Sequence, residues 1–147
     1  MRLTAHTDYA LRVLMYAAVE PASLCTIERI SEAYGISRNH LMKVVQRLGD
    51  HGFLETVRGR GGGLRLAMPA NKIFVGDVVR KMEDDLAQAE CFRTEQNSCV
   101  ITSVCGLKHA LYTALEAYLD ALDQFTLADV TRNRKALSRL LDLDPAA

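Results

Sequence analysis

The sequence predicts a mainly α-helical fold carrying a small β-hairpin: a winged helix-turn-helix followed by a long C-terminal helix. Three observations predict it. Two helical segments flank the turn Tyr34-Gly35-Ile36-Ser37, two short strand-forming runs flank a glycine-rich turn at 58–63, and an apolar stripe runs through 107–122.

The first helix is expected over 7–19, where Leu11, Leu14, Ala17 and Ala18 recur at helical spacing and Thr4 or Thr7 caps the start. Thr26 opens a second helix with Ile27 and Ile30 on one side. Gly35 suits the left-handed residue that ends it, and Ser37 caps a third helix over 37–50. Leu41, Val44, Val45 and Leu48 mark the buried face of that third helix. Phe53-Leu54-Glu55-Thr56-Val57 and Leu64-Arg65-Leu66 read as antiparallel strands. A further helix begins over 75–82 and leads into the polar link Glu83-Asp84-Asp85. Residues 91–105 lack periodicity and read as a loop. The long helix then runs over 104–125, with Leu107, Leu111, Leu115, Tyr118, Leu119 and Leu122 along one side.

Composition limits the function classes. The chain has 147 residues, 49% of them hydrophobic, enough for one compact core with an extension. No run of about eighteen apolar residues is present, so no membrane-spanning helix is expected. The start, Met1-Arg2-Leu3-Thr4, turns polar at once and lacks the apolar centre of a secretory leader, so a cytoplasmic protein is expected. The net charge of zero hides an asymmetry. Residues 1–81 hold twelve Lys/Arg against seven Asp/Glu, and residues 82–147 hold six against eleven. A basic DNA-binding domain over 1–81 and a regulatory and assembly segment over 82–147 are therefore expected.

The third helix suits the major groove, with Ser37, Arg38, Asn39, His40, Lys43 and Arg47 as its candidate contacts to double-stranded operator DNA. The hairpin adds Arg58, Gly59, Arg60, Gly61 and Arg65. Glycines let the backbone approach DNA closely, and arginines favour the narrow, negative minor groove. No Gly-Lys-Ser/Thr follows the glycines, which argues against a phosphate-binding P-loop. The stripe on the long helix is consistent with a homodimer reading paired half-sites.

Of four cysteines, Cys91, Cys99 and Cys105 lie within fifteen residues, separated by seven and five residues. These gaps are wider than those of structural zinc sites, whereas iron–sulfur clusters accept varied spacing. A cluster, zinc, a thiol switch or no role remain open from spacing alone. His109, four residues after Cys105, is a candidate neighbour of such a site. Cys25, between Leu24 and Thr26, reads as a small buried apolar residue. No Cys-x-x-Cys and no nucleophile–base arrangement is legible, so no enzyme is expected.

Taken together, Met1-Arg2-Leu3-Thr4, Thr7-Asp8-Tyr9-Ala10-Leu11-Arg12, the run from Val57 to Leu66, the three cysteines and the long helix resemble the Rrf-type winged-helix iron–sulfur transcriptional regulators. Ile36-Ser37-Arg38-Asn39-His40-Leu41, Cys99-Val100-Ile101-Thr102-Ser103-Val104-Cys105 and Phe125-Thr126-Leu127-Ala128-Asp129 look most like its nitric-oxide-sensitive branch. The resemblance implies a homodimeric repressor with one cluster per subunit, 4Fe–4S rather than 2Fe–2S, that releases DNA on meeting nitric oxide. It maps the ligands onto Cys91, Cys99 and Cys105, with Asp8 of the partner subunit as the fourth. The family's 2Fe–2S members place histidine three residues after the last cysteine, where this chain has Lys108, and His109 stands one residue further on. The Glu90-Cys91-Phe92 context also resembles an iron-responsive branch, so iron supply is an alternative signal. A general redox or iron–sulfur regulator and a zinc-stapled module without sensing are the remaining alternatives.

Overall fold

The computed structural model describes residues 2–20, 23–93 and 95–143; Met1 of the opening motif and 144–147 of the expected second segment lie outside them. The chain forms helices α1 (Ala5–Val19), α2 (Ile27–Tyr34) and α3 (Arg38–Asp50), then strands β1 (Leu54–Val57) and β2 (Gly63–Leu66). Helices α4 (Val75–Met82), α5 (Gly106–Asp123), α6 (Leu127–Val130) and α7 (Arg134–Leu140) follow. The two strands form one antiparallel hairpin in the register Leu54 opposite Leu66 and Val57 opposite Gly63.

Helix α1 is the central element. Its Ala10, Val13, Leu14, Tyr16, Ala17 and Ala18 are buried, and α3, α4, α6, α7 and β2 all pack against it. The small alanines let neighbours approach closely. The helix starts two residues before the expected position because Thr4 is the cap, its hydroxyl accepting the Thr7 amide at 3.3 Å. Leu41, Val44, Val45 and Leu48 of α3 are all buried in the same core, the face expected from their spacing. Each such side chain contributes roughly 1.5–3 kcal/mol on burial.

Two helices follow the long one where none was expected. Thr126 and Asp129 form a reciprocal capping box at the start of α6, and Asn133 caps α7. Both helices are too short for their periodicity to stand out. The chain returns to the head here: Leu127 of α6, and Leu141 and Leu143 just after α7, are buried in the core formed around α1. The crossing is fixed by backbone bonds from the Leu127 amide to the Ile73 carbonyl at 2.8 Å and from the Val75 amide to the Phe125 carbonyl at 2.9 Å.

The stripe on α5 is largely used within the chain. Leu115 and Leu119 are buried against Val79 of α4, with Leu3, Leu86, Tyr118 and Leu122 around them. Arg80 of α4 clamps the far end of α5 through two bonds to Asp123, at 2.8 and 2.7 Å. That approach passes directly over Gly76, where a β-carbon would collide with the Asp123 carboxylate. The large apolar residues of α5 left exposed are Leu107 and Tyr112 near its start, adjoining exposed Val100, Ile101 and Val104 of the preceding loop. Helix α5 starts at Gly106 rather than 104, because a 3-10 turn over Thr102–Val104 precedes it and Cys105 is extended.

Candidate nucleic-acid interface and cysteine pocket

The helix-turn-helix is stapled by local chemistry. Thr26 caps α2 by accepting the Arg29 amide at 3.2 Å. Gly35 takes the left-handed conformation with φ 64°. The Ser31 hydroxyl donates to the Ile36 carbonyl at 2.6 Å, while the Ile36 amide donates to the Ser31 carbonyl at 3.2 Å. Ser37 then caps α3, which projects Arg38, Asn39, His40, Met42, Lys43 and Gln46 outward.

These expected contact residues differ in how far the chain already engages them. The Arg38 guanidinium donates to Glu28 of α2 at 2.5 Å. The His40 ring lies 6.3 Å from that of Tyr9, centroid to centroid. Arg47 donates to the Lys81 carbonyl at 2.9 Å and pairs with Asp84 at 2.6 Å. Among the described residues, no ion pair involves Lys43, Arg58 or Arg60.

The hairpin is anchored at its base. Cys25 extends it as a third, one-residue edge: its amide donates to the Leu64 carbonyl at 2.9 Å and its carbonyl accepts the Leu64 amide at 2.8 Å. Gly59 and Gly61 both have positive φ, so the tip needs residues without a β-carbon. Arg58 and Arg60 are exposed at this tip. Arg65 donates to Glu55, its directly opposed cross-strand neighbour, at 3.0 Å. Cys25 is fully buried, and burial, reinforced by Glu20, pushes its thiol up to about 11. It is a core residue, as its sequence context predicted.

The other three cysteines are free thiols of intermediate exposure. Cys91 sits in a 3-10 turn over Glu90–Phe92, and Cys105 immediately precedes α5 in an extended conformation. Both line an open cavity of about 690 Å³, with Phe92, Asn97, Lys108, His109 and Tyr112 on its walls. Cys99 is not among the lining residues. Among the described residues, no group of three or more His, Cys, Asp or Glu side chains lies close enough to hold a metal ion. Asp8, on α1, pairs instead with Arg12 one turn along at 2.9 Å.

The cysteine loop is organised by two residues that sequence reading missed. Asn97 Oδ1 accepts the Cys99 amide at 3.1 Å, and Asn97 Nδ2 donates to the Thr102 hydroxyl at 3.0 Å. The Thr102 hydroxyl in turn donates to the Cys99 carbonyl at 2.8 Å. An asparagine two residues before a cysteine is the available signal, since its side chain readily bonds the backbone two positions on. Glu28 and Asp84, the partners of Arg38 and Arg47, were likewise not legible as members of the site. In space they meet the arginines; in sequence they are ten and thirty-seven residues away.

The Rrf2 family model, described as an iron-dependent transcriptional regulator, matches residues 3–133. The chain is 54% identical over 144 residues to the HTH-type transcriptional regulator NsrR of Bacillus subtilis (strain 168), covering 97% of this chain and 99% of that one. It is 47% identical over 142 residues to the regulator of the same name from Geobacillus kaustophilus (strain HTA426), covering 96% and 97%. Among solved structures, CymR, the global cysteine regulator of B. subtilis, superposes with a TM-score of 0.74 at 21% identity, covering 90% of this chain and 98% of that one. No helix of the described residues is long and apolar enough to cross a membrane.

Proposed function

Because the chain belongs to the Rrf2 family of iron-dependent transcriptional regulators, we propose that it is a homodimeric repressor whose hold on operator DNA depends on an iron–sulfur cluster and yields to nitric oxide. It is a DNA-binding transcriptional regulator and not an enzyme. The finer reading is supported above all by the donor set at the root of α5. Three free, partly exposed thiols stand in one loop, and two of them face a common cavity.

That donor set fits an iron–sulfur cluster, which binds through thiolates and tolerates wide spacing. Cys91, Cys99 and Cys105 would hold one 4Fe–4S cluster per subunit, with Asp8 of the partner subunit as the fourth ligand. When bound, such a cluster supplies iron that reacts with nitric oxide. The chain's own residues provide the rest. Asn97 and Thr102 hold the Cys99 segment in shape. Arg12 gives Asp8 a local partner when it is not engaged elsewhere. Ser37, Arg38, Asn39, His40, Lys43 and Arg47 of the recognition helix and Arg58, Gly59, Arg60, Gly61 and Arg65 of the wing form the proposed DNA surface. The exposed apolar residues Val104, Leu107 and Tyr112 supply a dimer face, and a dimer sets the spacing between two recognition helices. We place the protein in the cytoplasm, where thiols stay reduced.

The test is anaerobic purification followed by visible absorption and iron and sulfide analysis. One cluster per subunit is expected. Addition of nitric oxide should abolish retardation of the duplex that the protein enriches most from a randomised pool. A colourless zinc protein would overturn the cluster reading. Release by an iron chelator but not by nitric oxide would assign the signal to iron supply, the reading favoured by the Glu90-Cys91-Phe92 context.

A further inference from the structure

We propose that Glu28 is a specificity-determining residue: its carboxylate holds Arg38 and opposes phosphate, so that this arginine commits to a neutral base edge in preference to the DNA backbone. The inference rests on Arg38 being a DNA contact. Arg38 is the first residue of α3, the end that enters a groove, and its guanidinium lies 2.5 Å from Glu28 of α2. Both side chains are more than half exposed, so the pair is reachable by DNA and is not a core contact.

Leaving Glu28 costs Arg38 the same whichever acceptor it meets on DNA. A phosphate accepts a guanidinium bidentately, as guanine O6 and N7 do, so the number of bonds does not separate them. Charge does: a phosphate brings a negative charge against the carboxylate that Arg38 has left, whereas the guanine edge is neutral. Glu28 therefore weakens non-specific binding more than specific binding. The wing carries a parallel arrangement, with Arg65 held by Glu55 at 3.0 Å, whereas Arg58 and Arg60 at its tip pair with no acid among the described residues. The DNA-facing cations thus divide into a free set and a restrained set.

Four proteins test this: wild type, Glu28→Gln, Arg38→Ala and the double variant. Each is titrated in several salt concentrations with two probes, the duplex that wild type enriches most from a randomised pool and a mixed-sequence duplex of equal length. Glu28→Gln should bind the mixed duplex about three- to fivefold tighter, the scale of an exposed ion pair. Its salt slope there should steepen by about 0.9, one added phosphate contact. Affinity for the enriched duplex should change less than twofold, so discrimination falls. In the Arg38→Ala background, Glu28→Gln should leave discrimination unchanged. Equal tightening on both duplexes, an unchanged ratio, or the same loss of ratio without Arg38 would each overturn the proposal. If wild type enriches no duplex at all, the DNA reading itself fails, an outcome distinct from a failure of Glu28. Glu28 is exposed, and a matching thermal melt for Glu28→Gln checks that the fold is intact.

Discussion

Arg47 and Asp84 meet at 2.6 Å, joining the last turn of α3 to the segment that leads toward the cysteines. The same guanidinium donates to the Lys81 carbonyl, and Glu83 between them accepts the amide and hydroxyl of Thr4 at 2.8 and 3.1 Å. Three parts of the chain are thus tied at one point: the start of α1, the end of α3 and the exit from α4.

Arg47→Ala is expected to lower stability by about 1 kcal/mol, mostly through the lost bond to the Lys81 carbonyl, because Asp84 is largely solvated and an exposed pair is worth little. If this guanidinium stays with its internal partners on DNA, the salt slope of binding will not change. A slope reduced by about 0.9 would show instead that Arg47 leaves them for a phosphate. Urea denaturation and salt titration of the same sample decide between these.

The wing tip behaves differently. Arg58→Ala and Arg60→Ala should leave stability unchanged, since both residues are exposed and pair with no acid among the described residues. Each should weaken DNA binding to all sequences alike and lower the salt slope by about 0.9. Unchanged affinity and slope would remove the wing from the DNA surface.

Two glycines are tests of packing. A β-carbon on Gly63 would stand 2.5 Å from the Cys25 carbonyl, a backbone atom with no room to move. Gly63→Ala should therefore break the Cys25–Leu64 bridge and cost about 1–3 kcal/mol. At Gly76 the obstacle is the Asp123 side chain, so Gly76→Ala should displace it from Arg80 and loosen α4 from α5. Denaturant midpoints give both values, and a wild-type midpoint for either variant would refute the corresponding contact.

Cys25 sets an alkaline limit. Its folded thiol titrates at about 11, above the ordinary value of 9.0, because burial disfavours the thiolate. The unfolded chain loses this proton first, so the stability it contributes is complete below pH 9 and falls away as pH rises toward 11. Tyr16 and Tyr34, also raised by burial, act in the same direction. Melting curves between pH 8 and 11 should fall less steeply for Cys25→Ala, at a modest cavity cost. At pH 8, iodoacetamide should label Cys91, Cys99 and Cys105 far faster than Cys25.

Much of the head was legible because its signals are local. Thr26, Gly35 and Ser37 mark helix ends by cap chemistry, and the four apolar residues of α3 repeat at the helical period. The candidate site residues stand out in the sequence by type, as arginines beside glycines and as cysteines in one loop. The unread parts depend on distance in sequence. Nothing near Arg38 or Arg47 announces Glu28 or Asp84. The stripe on α5 cannot say whether it faces Val79 of its own chain or another subunit, since both partners are apolar. Helices α6 and α7 have clear caps at Thr126 and Asn133, but their apolar residues are too few to show which core they join.

The tail that returns to α1 has a consequence for anyone wishing to excise the head. The charge boundary near residue 81 invites a cut there, yet Leu127, Leu141 and Leu143 complete the floor beneath α1. A fragment ending at that boundary would carry the hairpin and α3 on a scaffold missing one wall. The chain is therefore not a portable reader joined to a detachable sensor. Its last segment is a keystone, and grafting the reader onto another protein would require carrying the tail along.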